Sequence, residues 1–209
     1  MARPRFTAKQ ARESLAQAVK DVESRTGAEV VVAVRLHSGD YAAADLRCAS
    51  VAALATLVAL CFLPHAFTDV AFVADTTLFF LAALVLSRRS SLLRRLFTSA
   101  RSREERVRSG ALVAFMVQGV GRLPGRNGVL VYASQLERAV AVVPDIGLDV
   151  GRLGSAWSAA VARLETALDP RLDLEAFDVA LRALGPLLGR LRPRSDDDAN
   201  ELPDEASVE

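Results

Sequence analysis

The chain has 209 residues, enough for one domain with attachments or two small domains. Its hydrophobic fraction of 51% and mean hydropathy of +0.23 sit at the top of the soluble range. Net charge is only +1, yet the residues from Pro193 onward hold seven acids and one base, so the remaining body carries +7, most of it between Arg88 and Arg108.

Both cysteines, Cys48 and Cys61, lie in one apolar run. Helical spacing would hold them about 20 Å apart, too far for a disulfide, and no Cys/His spacing fits a zinc site. Arg outnumbers Lys 24 to 2, which reads as the coding bias of a GC-rich bacterium. The opening "MARPRFTAKQARESLAQ" has no apolar secretory core, so the first forty residues are expected to stay in the cytosol.

Thr7 to Gln10 has the form of a capping box. Ala11, Leu15, Val19 and Val22 then recur at helical spacing until Thr26-Gly27. "EVVVAVRL", Glu29 to Leu36, predicts a strand that is apolar on both faces. "HSGDY" is a loop. Two apolar runs follow, "CASVAALATLVALCFLPHAF" from Cys48 to Phe67 and Val70 to Leu86. The next stretch places Leu93, Leu96, Ala100, Val107, Ala111 and Phe115 near one face of a helix. "GVLVYAS" and "RAVAVVP" read as a hairpin joined by Gln135-Leu136-Glu137. A helix follows, using Val150, Leu153, Trp157, Val161, Leu164 and Leu168 and stopped by Asp169-Pro170. The last uses Leu174, Phe177, Leu181, Leu184 and Leu188, interrupted near Gly185-Pro186. Three strands and four helices make a mixed α/β domain in two pieces around the apolar pair.

Each apolar run alone is short for a span, which needs roughly 20 residues. The flanks decide between bilayer and buried core. The connector from Pro64 to Asp75 has no Lys or Arg and two Asp, whereas Arg47, Arg88, Arg89, Arg94, Arg95, Arg101 and Arg103 stand outside the pair. That asymmetry follows the positive-inside rule for a hairpin with both ends cytoplasmic. The expected division is 1–41 and 92–192 as the two parts of the α/β domain and 42–91 as the hairpin, with spans near 47–64 and 70–87. Residues 193–209 are an acidic tail without order. Arg88, Arg89, Arg94 and Arg95 then face anionic headgroups. Nucleic acid is disfavoured as a partner, because no aromatic residues punctuate the cluster.

"FTAKQARESLAQAVKDVESRTGAEVVVAV" with "HSGDY", and "RNGVLVYASQLERAVAVVPDIGLDV" followed by Trp157, resemble the TPM-domain family. The matching positions are Ser38, Tyr41, Gly128, Val129, Leu130, Tyr132, Ser134, Glu137, Arg138, Val140, Val142, Asp145, Gly147 and Trp157. One branch of that family carries two membrane segments after the first strand. The resemblance implies an α/β/α sandwich with a small mixed sheet, interrupted by an inserted transmembrane hairpin. It leaves function open between acid phosphatases and membrane-associated accessory factors. Asn127 and Leu123-Pro124 depart from the family pattern, which favours Thr there.

Arg126 and Asn127, starting one hairpin strand, fall beside Asp145 at the end of the other. If the first strand runs parallel to the second hairpin strand, Asp40 opens on the same edge. Asp40, Asn127 and Asp145 would then gather oxygens suited to calcium or magnesium, and Arg126 would add a phosphate contact. Ordinary helix capping by Asp40 and by Asp145 or Asp149 is the rival reading. His37 and His65 offer no nucleophilic grouping. The expectation is a TPM-like domain anchored in a bacterial inner membrane, multi-pass with both termini cytoplasmic, binding lipid and another membrane protein as an accessory or scaffold module. The alternatives are a metal-assisted phosphatase using Asp40, Asp145, Arg126 and Glu137, and a soluble domain that oligomerises through the apolar pair.

Overall fold

Two valine-rich strands, buried on both faces, organise the first of two units, residues 1–38 with 104–209. The computed structural model describes residues 8–62, 68–168, 172–195 and 207–208. Strand β1 (Glu29–Arg35) runs parallel to β2 (Gly128–Ser134), and β2 turns back as antiparallel β3 (Ala139–Pro144). Ser207–Val208 form a short β4 parallel to β1, giving the order β3-β2-β1-β4. The tail was expected to lack order, and these two residues differ from that; 196–206 and 209 lie outside the described residues.

On one face of the sheet, Val30, Val32, Val34, Val129, Val131 and Ala133 meet α1 (Ala8–Glu23), α6 (Ser155–Thr166), α7 (Leu174–Arg182) and α8 (Gly185–Leu191). Leu15, Val19 and Val22 form the buried stripe of α1, while Leu164, Phe177, Leu181 and Leu188 come from the other three helices. Each such side chain, fully buried, stabilises by about 1.5–3 kcal/mol. The opposite face carries Val31, Ala33, Leu130 and Tyr132 against Val107, Ala111 and Ala114 of α5 (Ala100–Val117). The unit is therefore an α/β/α sandwich. A parallel strand pair needs a crossover. Here α5 supplies it, with the apolar pair spliced between β1 and α5.

The second unit is Gly39–Arg103, which is longer than the expected 42–91. Helices α2 (Ala42–Phe62) and α3 (Asp69–Arg89) form a hairpin, followed by the short α4 (Ser91–Leu96). Thr68 caps α3 by accepting the Ala71 amide at 3.3 Å. The single amphipathic helix expected through Leu93 to Phe115 is in fact two. Ser90 ends α3 and caps α4 through the Leu93 amide. Phe97 to Ser99 then break the chain before α5. The Thr98 hydroxyl donates to the Arg94 carbonyl at 2.7 Å, and the Arg103 guanidinium donates to the carbonyls of Arg95 and Thr98 at 2.9 and 2.6 Å. Side chains thus take over carbonyls that a continuing helix would have paired with backbone amides. Leu96, assigned to the apolar face, is 74% exposed. The capping Thr7 and the Asp169-Pro170 stop lie outside the described residues.

Both hairpin helices are long and apolar enough to cross a membrane, and only 17% and 6% of their most apolar windows are buried.

Asp178 of α7 accepts a hydrogen bond from the Ser14 hydroxyl of α1, and beside it Arg182 pairs with Asp21. Burial lifts the Asp178 carboxyl above its ordinary value, partly offset by the Ser14 hydrogen bond. The folded state therefore holds this proton more tightly than the unfolded one. Its favourable contribution is complete below the ordinary carboxylate range and is lost as pH rises through the raised value. Asp178→Asn, which keeps an acceptor for Ser14, is expected to raise the thermal midpoint at pH 7 by about 2 °C and to leave it unchanged near pH 3. Thermal unfolding of the full chain at the two pH values checks this.

Candidate functional site

Arg126 enters β2 in the left-handed region, at φ 48°. Its carbonyl accepts the Gly147 amide at 3.0 Å, and a Cβ on Gly147 would lie 2.3 Å from that same oxygen. Only glycine fits there. The Asp145 amide donates to the Gly128 carbonyl at 2.8 Å, which closes this end of the hairpin. Asn127 is buried; its Nδ2 donates to the Gly27 carbonyl at 2.6 Å and its own carbonyl accepts the Glu29 amide at 3.1 Å. The Asn127 side chain thus ties the start of β2 to the turn before β1.

Asp145 is 4% exposed. Its Oδ1 accepts the Ile146 amide at 2.8 Å and lies 3.2 Å from Nη2 of the half-exposed Arg126, whose Nη1 donates to the Gly121 carbonyl. Asp145 Oδ2 is buried with no hydrogen-bond partner among the described residues. Arg126, Asn127 and Asp145 are thus brought together, as the hairpin register implied.

Asp40 and Glu137 do not join them. Strand β1 is parallel to the first hairpin strand, not the second, and Glu29 pairs with Gly128 while Arg35 pairs with Ser134. The exit of β1 therefore opens at the end of the sheet opposite Asn127 and Asp145, about 20 Å away along a seven-residue strand. At that end Glu137 is buried, accepting the Ser38 amide at 2.9 Å and the Ser134 hydroxyl. Tyr132 donates to the Ser38 hydroxyl at 3.0 Å. Glu137 fastens the hairpin turn to the β1 exit. Asp40 Oδ1 accepts the Ala42 amide at 2.9 Å, the capping role.

A hard cation such as calcium takes roughly six to eight oxygens. The Asp145 loop presents one buried carboxylate, already facing a guanidinium, and the exposed Asp149 lies against Arg152 at 3.6 Å. No group of three His, Cys, Asp or Glu side chains suited to a metal forms among the described residues. The residues present do not fit the cation site that the sequence suggested.

Within the second unit a polar cluster joins the three helices. Asp45, in the first turn of α2 and 3% exposed, accepts Ser87 Oγ at 2.7 Å and Arg94 Nε at 3.1 Å through Oδ1, and Arg94 Nη2 at 2.9 Å through Oδ2. The Arg94 guanidinium lies 5.9 Å from the Tyr41 ring centroid. The hydrogen bond to Asp45 raises the Arg94 pKa above its ordinary value. Arg47 donates to the Phe97 carbonyl at 3.1 Å. Arg94 was expected at a headgroup and instead has its charge committed to Asp45; Arg88 and Arg89 are exposed. The signal in the sequence was a lone Asp inside an otherwise carboxylate-free helix.

No protein-family model matches the chain, and no curated protein does. A solved structure does: the NMR structure of the BA42 protein from the psychrophilic bacterium Bizionia argentinensis. It aligns with a TM-score of 0.57 and 13% identity, covering 100% of this chain and 99% of that one. At that identity the likeness is one of fold.

Two stability tests follow from these contacts. Arg94→Gln leaves the Asp45 carboxylate buried without its charge partner and is expected to cost about 3 kcal/mol. The double variant Asp45→Asn with Arg94→Gln is expected to recover most of that in thermal unfolding of the detergent-solubilised chain. Asn127→Ala strands the buried Gly27 carbonyl and is expected to cost about 1–3 kcal/mol, against under about 1 kcal/mol for Asp145→Asn, whose pair with Arg126 is half in solvent.

Proposed function

We propose that the chain is a TPM-like α/β domain anchored in the bacterial inner membrane by its α2–α3 hairpin. Both ends of the hairpin are cytoplasmic, and the domain acts as a binding or accessory module for another membrane protein. The observation that carries the reading is the exposure of apolar side chains around both hairpin helices. Leu54, Val58 and Phe62 of α2 and Val73, Leu78, Phe79, Leu81 and Leu86 of α3 are 48–84% exposed. A soluble core helix keeps such residues on one buried stripe; helices apolar all round belong in a large core or in lipid. The TPM-like assignment rests on the motif from Arg126 to Val150 and accords with the whole-chain likeness of fold to BA42.

A binding role is favoured over phosphoryl chemistry by what the buried carboxylates do. Glu137 fastens a turn, Asp45 pairs with Arg94, and Asp145 holds a loop amide and Arg126. Two measurements test the proposal. The full chain is expected to remain in membranes after a carbonate wash and to crosslink there to a specific membrane protein, with the crosslink lost when the hairpin is deleted. Release by carbonate overturns the anchor. Turnover of a phosphomonoester by the pure chain, abolished by Asp145→Asn, replaces the accessory role with a hydrolase.

A further inference from the structure

The short helix after the hairpin carries a surface that the anchor alone does not require. Leu92 and Leu96 of α4 are 71% and 74% exposed, and at i and i+4 they share one face of the helix. The same helix cannot turn freely about its axis to hide them. Its Arg94 is held by Asp45 at two points, and its last carbonyls are taken by Arg103 and Thr98. The carbonyl of Phe97, just beyond its end, is taken by Arg47. Around it, from Ser87 to Arg103, stand six arginines and no carboxylate. Arg88 and Arg89, in the last turn of α3, are exposed.

The geometry points to α4 as an interfacial helix that docks on an anionic lipid surface. Leu92 and Leu96 seat at the boundary between headgroups and acyl chains, and Arg88 and Arg89 hold the headgroup phosphates. This rests on the membrane reading of the hairpin and extends it. The occupant follows from two features. The exposed leucines begin six residues after Leu86, the last exposed apolar residue of α3, so the same lipid phase serves both. The chain flanking them carries charge of one sign, and with Arg94 neutralised by Asp45 the exposed Arg88 and Arg89 complement an anionic leaflet at about 1 kcal/mol per basic residue near the surface. An amphipathic helix with apolar anchors and flanking arginines is the form that partitions at such a boundary. The Asp45–Arg94 pair is then a positioning contact, fixing which face of α4 meets the lipid.

Single cysteines test this in the full chain carrying Cys48→Ala and Cys61→Ala. Leu54→Cys, Leu92→Cys, Leu96→Cys and Glu175→Cys are each reconstituted in vesicles of phosphatidylcholine with phosphatidylglycerol, and in phosphatidylcholine alone. Labelling by a water-soluble maleimide on both sides of the bilayer is then timed. With phosphatidylglycerol present, Leu92→Cys and Leu96→Cys are expected to react several-fold more slowly than Glu175→Cys. Their rates should recover toward it in phosphatidylcholine alone, or when Arg88→Gln and Arg89→Gln are added. Fast labelling at 92 and 96 while Leu54→Cys stays protected overturns the interfacial helix and leaves the anchor standing. Equal protection in both lipids, as a protein partner or a self-contact would give, overturns it as well. Reactive Leu54→Cys removes the anchor and this inference with it.

Discussion

Parallel pairing between β1 and β2 governs the rest of this structure. Two parallel neighbours cannot be joined by a tight turn, so the chain must leave the end of β1 and return to the start of β2. Helix α5 makes that return, with Val107, Ala111 and Ala114 on the sheet face opposite α1. Because a crossover exists, there is a place where sixty-odd residues can be spliced in without disturbing the strand register. The same pairing decides which side chains meet. It sets Asn127 beside the turn before β1, and it sends Glu137 and the β1 exit to the other end of the sheet. A candidate site drawn from both ends therefore separates into two structural clusters.

How much was legible beforehand follows the range of the interactions. Helix α1 was plain from Leu15, Val19 and Val22, and the β2–β3 hairpin from two short apolar runs joined at Gln135-Leu136-Glu137, because each is written within a few residues. The neighbours Arg126, Asn127 and Asp145 were legible for the same reason, since an antiparallel register brings them together. The partner of β1 was not, as nothing local distinguishes pairing with β2 from pairing with β3. The break at Phe97 to Ser99 was hidden because arginine and threonine side chains, not Gly or Pro, end α4. The Asp45–Arg94 pair joins residues 49 apart in sequence, and Arg94 in isolation looks like any surface arginine.

The two units solve the burial of apolar surface differently. In the sandwich every helix offers a buried stripe to the core, and Leu15, Leu164, Phe177 and Leu188 are wholly buried. In the hairpin the most apolar helices of the chain keep most of their side chains uncovered by protein. Each exposed Leu or Phe left in water forgoes about 1.5–3 kcal/mol of burial, and the pair exposes at least eight such large residues. A bilayer removes that cost without any further protein contact. This makes the hairpin's environment, rather than its internal packing, the main determinant of its stability.

The charged cluster at the open end of the hairpin is then a statement about depth. Counted from the polar cluster inward, Cys48 to Phe62 of α2 spans about 22 Å and Val70 to Leu86 of α3 about 26 Å, both short of the roughly 30 Å of a typical hydrocarbon core. A span that is too short draws its flanks toward the lipid or thins the bilayer around it. Lone charges in that position would oppose such a movement. Asp45 does not stand alone: Ser87 and Arg94 satisfy both of its oxygens, and the pair is neutral. An internally compensated cluster tolerates the low-dielectric edge of the headgroup layer far better than a free carboxylate. Under the proposed membrane anchor, pairing Asp45 inside the protein lets a slightly short hairpin settle to its full depth, while the exposed Arg88 and Arg89 would mark the leaflet it settles from.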